Sequence, residues 1–388
     1  MDPYLRDVLD VCLRLLHVTA GIAWIGASFY FVRLDLSLKP PRDTDDAGRG
    51  VAGEFWGVHG GGLYRSQKYR RGPAEMPEPL HWFKWEAYTT WLSGFALLVV
   101  LYYFDAQTRL VDASVAALEE WEAVALSVAG LALAWVVYDV LCRTIGRRSQ
   151  LWLAAYGLVF FALAAWGASE LFAARAAYLQ VGAMVGTIMA ANVLLVIIPA
   201  HRKLVRAMEA GRGADQEALL EAKRRSVHNN YLTLPVVFTM LVGHSAFVFG
   251  HDDAWLALVL IAVLLALVRH FFNAWHTGRR EWWILGAAGV GAVLLALWLQ
   301  PEETPSSAAE PVAFAQVRPI IAQRCATCHS GASAPLGVRL ETEAEIEARA
   351  ADIERQAVLT RAMPPGNATG MTVEERELLG AWIASTGR

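Results

Sequence analysis

The sequence predicts an all-α architecture, a polytopic eight-helix transmembrane bundle followed by a small soluble domain. Two observations predict it. Of 388 residues, 55% are apolar and only 18% charged, with a mean hydropathy of +0.34, whereas soluble globular chains carry about 25% charged residues. Apolar runs of spanning length recur between short polar segments as far as residue 300 and then stop. This composition excludes a disordered chain and an ordinary two-domain soluble enzyme. A net charge of −3 offers no field for nucleic acid. Four cysteines exclude a disulfide-stapled scaffold, and fifteen tryptophans suit the aromatic belts of membrane interfaces.

A hydrocarbon core of ~30 Å needs about 20 mostly apolar residues in a spanning helix. Eight stretches meet that need: 11–32, 86–104, 123–142, 151–168, 178–199, 231–249, 255–272 and 283–299. None alternates with the period of two expected of a barrel strand. Met1 to Asp10 is acidic and no small-residue cleavage site follows, so the first stretch is expected to remain as a span. Gly182 and Gly186 form a small-xxx-small pair suited to close helix packing. Residues 1–300 thus form the membrane domain. Residues 301–311, beginning Pro301-Glu302-Glu303-Thr304-Pro305, read as a polar linker, and 312–388 as the soluble domain. Short helices are expected there at 315–325, 341–360 and 372–385, the last opened by the capping box Thr372-Val373-Glu374-Glu375.

Lys and Arg crowd alternate loops. Residues 33–84 include Arg65, Lys68, Arg70, Arg71 and Lys84, and the 143–150, 200–228 and 273–282 segments are also basic. Residues 105–122 and 169–177 hold one basic residue each, Arg109 and Arg175, and 250–254 none. Short basic loops stay in the cytoplasm. Both termini, and with them the soluble domain, are therefore expected on the periplasmic side of a bacterial inner membrane.

Cys325-Ala326-Thr327-Cys328-His329 is the attachment motif for covalent haem c. Thiols one helical turn apart can each join the porphyrin edge by a thioether while the adjacent imidazole reaches the iron. A Met sulfur usually takes the opposite side. Met363, in a loop before Pro364-Pro365, is the expected ligand and Met371 its competitor. The rival readings are a zinc half-site or a redox dithiol. Zinc would need a second ligand pair, and residues 330–388 hold neither Cys nor His. Cys12 and Cys142 fall near opposite ends of their spans and read as packing residues.

A haem c tethered to a helical bundle needs an electron source within it. His17 and His244 lie at matching depth in the first and sixth spans, where two imidazoles can hold a haem b. The alternative is that each simply hydrogen-bonds within the bundle. A second group, His59, His81, His201, His228 and His276, gathers at the basic end near Lys68, Arg70, Glu86, Asn229, Asn230, Tyr231 and Asn273. Basic groups with neutral imidazoles can bind an anion and accept its protons. Orientation and contact with anionic lipid account equally for most of these charges. In the 54–94 segment, Gly60-Gly61-Gly62 permits a tight loop whose exposed N–H groups could cradle an anion. Trp82, Trp85 and Tyr88 either stack on a flat ring or form an interfacial belt.

His59-Gly60-Gly61-Gly62, Leu80-His81-Trp82-Phe83-Lys84-Trp85-Glu86-Ala87-Tyr88, His228 to Pro235, Asn273 to His276 and Met363-Pro364-Pro365-Gly366-Asn367 together resemble the membrane-bound bacterial urate oxidase family. In that family an eight-helix domain is fused to a C-terminal cytochrome c. Leu16-His17, Trp24 and Arg33-Leu34 are more distantly similar to haem b-containing protoporphyrinogen oxidases. The first resemblance implies oxidation of urate to 5-hydroxyisourate, with electrons leaving through the cytochrome to a respiratory acceptor. Urate is a planar anion. Lys68 or Arg70 suits its charge, Trp85 its ring and Asn229 its polar edge, while His81, His228 or His276 suits a base. A quinol or porphyrinogen dehydrogenase with the same electron outlet, or a transporter or sensor with a cytochrome docking tail, are the alternatives.

Overall fold

The computed structural model describes all residues except 71–72, 74, 213–214, 301–311, 333 and 386–388, along with the side chains of Pro3 and His244. The expected linker therefore lies outside the described residues. Asp2 accepts a hydrogen bond from the Leu5 amide and opens α1, Pro3–Leu36. After the short α2, Thr44–Gly48, comes an antiparallel hairpin of β1, Val51–His59, and β2, Gly62–Tyr69. The bundle continues with α3, Trp85–Leu101; α4, Ala106–Arg109; α5, Glu120–Arg148; and α6, Gln150–Ser169. Helix α7, Ala174–Ala191, runs through a π-turn at Asn192–Ile197 into α8, Ile198–Glu209. Next come α9, Gln216–Leu241; α10, Ala246–Phe249; α11, Ala254–His276; and α12, Trp282–Trp298. The tail holds α13, Phe314–Arg324; α14, Glu343–Ala348; α15, Ala350–Ile353; and α16, Val373–Ser385.

The hairpin departs from the all-α expectation. Gly60 and Gly61 both have positive φ, 55° and 81°, and His59 pairs with Gly62. Two consecutive left-handed residues make the two-residue turn that matches strand twist. The glycine run that suggested an anion cradle closes a hairpin instead. Arg65 on β2 binds the buried carboxylates of Asp46 and Glu54, tying the hairpin to α2.

Six helices among the described residues are long and apolar enough to cross a membrane: Tyr4–Leu36, Trp85–Arg109, Glu120–Arg148, Gln150–Ser169, Ala174–Glu209 and Ala254–His276. The other two expected spans do not reach that mark. Helix α12 has 17 residues, and α9 buries Arg225, Asn229, Asn230 and Thr233 before giving way to a 3-10 turn at Val242–His244. Helix α9 packs against α7, α11 and α1, so its polar residues face other helices. Two contacts set the register of α1 against α3. His17 lies on Gly94, where a Cβ would sit 2.7 Å from the ring, and Gly21 faces Thr90.

The tail has its own core of Val317, Ile320, Ile321, Leu340, Ile346, Leu379, Trp382 and Ile383. The expected capping box is present: Glu375 N–H donates to Thr372 Oγ1 at 3.2 Å and Thr372 N–H to Glu375 Oε2 at 2.9 Å. The 360–366 loop lies on the end of the bundle whose connections are poor in Lys and Arg. Ala362 packs against the cluster containing Leu110, Val111 and Phe249, and Arg361 pairs with Asp252 at 3.4 Å. At Gly366 a Cβ would meet Val111 O at 2.8 Å and Thr108 O at 2.9 Å, and its φ is +56°. Only glycine fits there.

Candidate functional site

In the tail, α13 ends at Arg324 and delivers the Cys325–His329 motif. The Cys325 N–H bonds to Ile321 O and the His329 N–H to Cys325 O, so the motif coils through one turn. His329 Nδ1–H donates to Val338 O at 2.9 Å, which fixes the tautomer and leaves Nε2 for a metal. The two methionines differ sharply. Met371 is 3% exposed within the tail core, whereas Met363 is 37% exposed at the surface. The buried Arg376 guanidinium holds Met363 O at 2.8 Å and also binds Ala357 O. Arg324, next to Cys325, binds Glu375 and the carbonyl of Thr369, joining the motif to the methionine loop. Burial pushes the Cys325 thiol up to about 11, opposite to the lowered value of a reactive dithiol. No group of three or more His, Cys, Asp or Glu side chains is placed to hold a metal ion among the described residues. Two thiols, an imidazole whose Nδ1 is engaged and an exposed thioether are donor types that would fit haem c.

In the bundle, the expected residues divide among separate surroundings. His228 Nδ1 lies 2.8 Å from Tyr138 Oη, and its Nε2–H donates to Gln150 Oε1 at 3.1 Å. Asn229 accepts from Asn192 at 2.8 Å and donates to Met189 O at 2.9 Å. Both flank Arg225, whose side chain is 1% exposed and pairs with Asp139 at 2.8 Å and Glu221 at 2.7 Å. Arg225 Nη1 also donates to Asn192, which begins the π-turn. This network uses its hydrogen-bonding groups internally.

Lys68 pairs with Asp35, which Lys223 also reaches at 2.7 Å, so the hairpin lysine already has a carboxylate partner. Arg70 is exposed just after β2. His81 is exposed, 3.9 Å from Glu86 Oε1, with its ring edge-on to Phe83. Trp85 is 64% exposed with Lys84 Nζ 5.2 Å from its ring, an arrangement of the interfacial kind. An open cleft nearby is lined by Trp82, Lys84, Arg202, Val205, Arg206 and Glu209. His17 Nδ1–H donates to Thr90 O at 2.9 Å, and Nε2 faces Met240 Sδ at 3.3 Å. The side chain of His244 lies outside the described residues.

A second buried arginine went unremarked in the sequence. Arg269 on α11 is 5% exposed and donates through Nε to Asn230 Oδ1 at 2.8 Å. Asn273, one turn on, donates to the same oxygen at 3.0 Å. The Arg269 guanidinium lies 3.9 Å from the centre of the Phe29 ring. Tyr231 Oη lies 2.7 Å from His270 Nδ1 on the adjoining turn. Three buried side-chain polar atoms have no partner among the described residues: Arg269 Nη2, Asn273 Oδ1 and Glu86 Oε2. The α1–α3 register sets Glu86 level with Ile25, one turn from Ser28 and Phe29. The rule that an ionisable group inside a span marks function applies to Arg269 as well as to the histidines.

No curated protein and no solved structure matches the chain. Residues 3–300, the whole helical bundle with its hairpin, match the family described as urate oxidase N-terminal, and the chain belongs to that family.

Proposed function

We propose that the chain is a membrane-bound urate oxidase that converts urate to 5-hydroxyisourate and gives up two electrons through its C-terminal tail. The observation that carries this reading is the family match over residues 3–300. The tail's donor set supports the electron outlet. The reaction balances as urate plus water giving 5-hydroxyisourate, two protons and two electrons, so molecular oxygen is not consumed at the purine.

Cys325 and Cys328 would hold haem c by thioethers, and His329 and Met363 would offer nitrogen and sulfur to its iron. That group supplies a one-electron acceptor when bound. Arg324 and Arg376 keep the two halves of this cradle in register. Docking of the 360–366 loop brings the methionine side of the cradle against the bundle. In this reading that end of the bundle is periplasmic, the basic end faces the cytoplasm and anionic lipid, and a respiratory carrier takes the electrons onward.

His276, at the end of α11 beyond Asn273, would accept a proton from an anionic substrate. The bundle is long for a single electron transfer. Arg269 lies 15 residues along α11 from its first residue, Ala254, roughly 22 Å of helix. His17 Nδ1–H donates to Thr90 O, which leaves Nε2, now against Met240 Sδ at 3.3 Å, as the nitrogen that could reach a metal. With His244 it would hold a haem b as an intermediate station.

Anaerobic addition of urate to purified holoprotein tests the reading. Reduction of the c-type absorption band is expected, and a band that stays oxidised overturns it. A pyridine haemochromogen spectrum with c-type haem alone removes the haem b station without touching the rest.

A further inference from the structure

We infer that Arg269 Nη2 and Asn273 Oδ1 form the binding edge for the substrate anion, between α1, α9 and α11. The identity of the ligand as urate rests on the reading above, while the site rests on the geometry of the bundle.

Both residues lie on α11 at i and i+4, which places them on one face of the helix. Each spends one polar group on the same acceptor, Asn230 Oδ1. Asn230 is fully buried and its amide reaches Ser28 Oγ at 3.5 Å. That shared anchor sets the angle of both side chains and leaves one donor and one acceptor unpaired. Phe29 lies under the guanidinium and holds its plane.

A buried guanidinium is stable when an anion neutralises it. Arg269 makes no ion pair with a carboxylate among the described residues. The nearby carboxylate of Glu86, whose buried Oε2 also lacks a partner, lies 3.9 Å from His81 Nε2 and forms no ion pair with Arg269. A bound monoanion would remove that imbalance. The unpaired groups also specify its edge: a donor calls for a carbonyl or enolate oxygen, and an amide oxygen calls for a ring N–H. Adjacent N–H and C–O groups on a flat anionic ring are what urate presents. Lys68 and Arg70, the cations favoured by sequence position, do not offer this. One is paired with Asp35 and the other is exposed to solvent.

The test uses full-length holoprotein in detergent, pre-reduced with dithionite so that no electron can leave the ligand. Binding of labelled urate is read by equilibrium dialysis, and thermal unfolding is read in parallel without ligand. Arg269→Met is expected to weaken urate binding by roughly 30-fold or more. Unlike loss of a structural arginine, it should leave the unfolding temperature equal or higher, because an unneutralised charge has been removed. Asn273→Asp, which faces the anion with a second negative charge, is expected to weaken binding by roughly 10-fold with haem content unchanged. Equal urate affinity in wild type and Arg269→Met overturns the site and leaves the oxidase reading standing. Wild-type protein that binds no urate overturns both. Wild-type protein that binds urate and loses it in Arg269→Met, yet stays oxidised with urate before dithionite treatment, keeps the site and overturns the oxidase reading.

Discussion

Arg225 and Arg269 are both buried in the bundle, and they are solved in opposite ways. Arg225 on α9 is matched by two carboxylates, one from α5 and one a turn away on its own helix, and its Nη1 reaches Asn192. Arg269 on α11 has an amide oxygen, a phenyl ring and an unpaired Nη2. The first arrangement closes on itself and cements three helices. The second leaves a buried cation without a carboxylate partner among the described residues. The tail repeats the contrast with its methionines, since Met371 fills the core and Met363 stands at the surface. In each pair the satisfied member holds the fold, and the other is the one proposed above to meet a ligand.

The contrast can be broken by removing the satisfied members. Arg225→Met takes the shared cation from Asp139, which keeps Arg143, and from Glu221, and is expected to destabilise the bundle by about 1–3 kcal/mol, read by thermal or denaturant unfolding in detergent. A loss no larger than that of Arg269→Met would erase the distinction between the two arginines. Met371→Ala empties a packed site and should cost the tail about 2–5 kcal/mol. Met363→Ala, at the surface, should cost little stability. It should lower the reduction potential of the haem, measured by redox titration, because a thioether ligand raises that potential. An unchanged potential would move ligation to another residue.

A third satisfied cluster gives a smaller effect. The Arg65 guanidinium beside Glu54 holds its carboxyl below the usual carboxylate range. A depressed folded value stabilises above the unfolded value of about 4.3, and that stability is lost as pH falls through the folded value. The hairpin should therefore loosen in acid, with Trp56, whose Nε1–H donates to Glu54 at 3.1 Å, as a fluorescent reporter. Glu54→Gln should abolish that acid transition.

The spans were legible because hydropathy reports contact with lipid, and six of eight stretches stand as long apolar helices. Helix α9 was harder to place because its polar residues are buried against other helices, and a composition window cannot distinguish that from exposure to water. The hairpin was hidden by its own glycines. Gly60-Gly61 between residues such as Phe55, Trp56, Val58, Leu63 and Tyr64 is a hairpin signal, but three glycines also suit an anion loop. Proximity along the sequence drew attention to Lys68, Arg70 and His81, because loops rich in charge look like sites. It could not show that Lys68 is already paired. Arg269 was visible as a lone cation in Leu267-Val268-Arg269-His270-Phe271, but its missing partner is a three-dimensional fact.

Electrons that leave urate inside the bundle and reach the tail would reduce a haem there without oxygen. Anaerobic stopped-flow mixing of oxidised holoprotein with urate, following the reduced c-type band, tests this most directly. Wild type should be reduced by urate and by ascorbate, and Arg269→Met by ascorbate alone at subsaturating urate. A wild-type tail that ascorbate reduces and urate leaves oxidised would contradict the account.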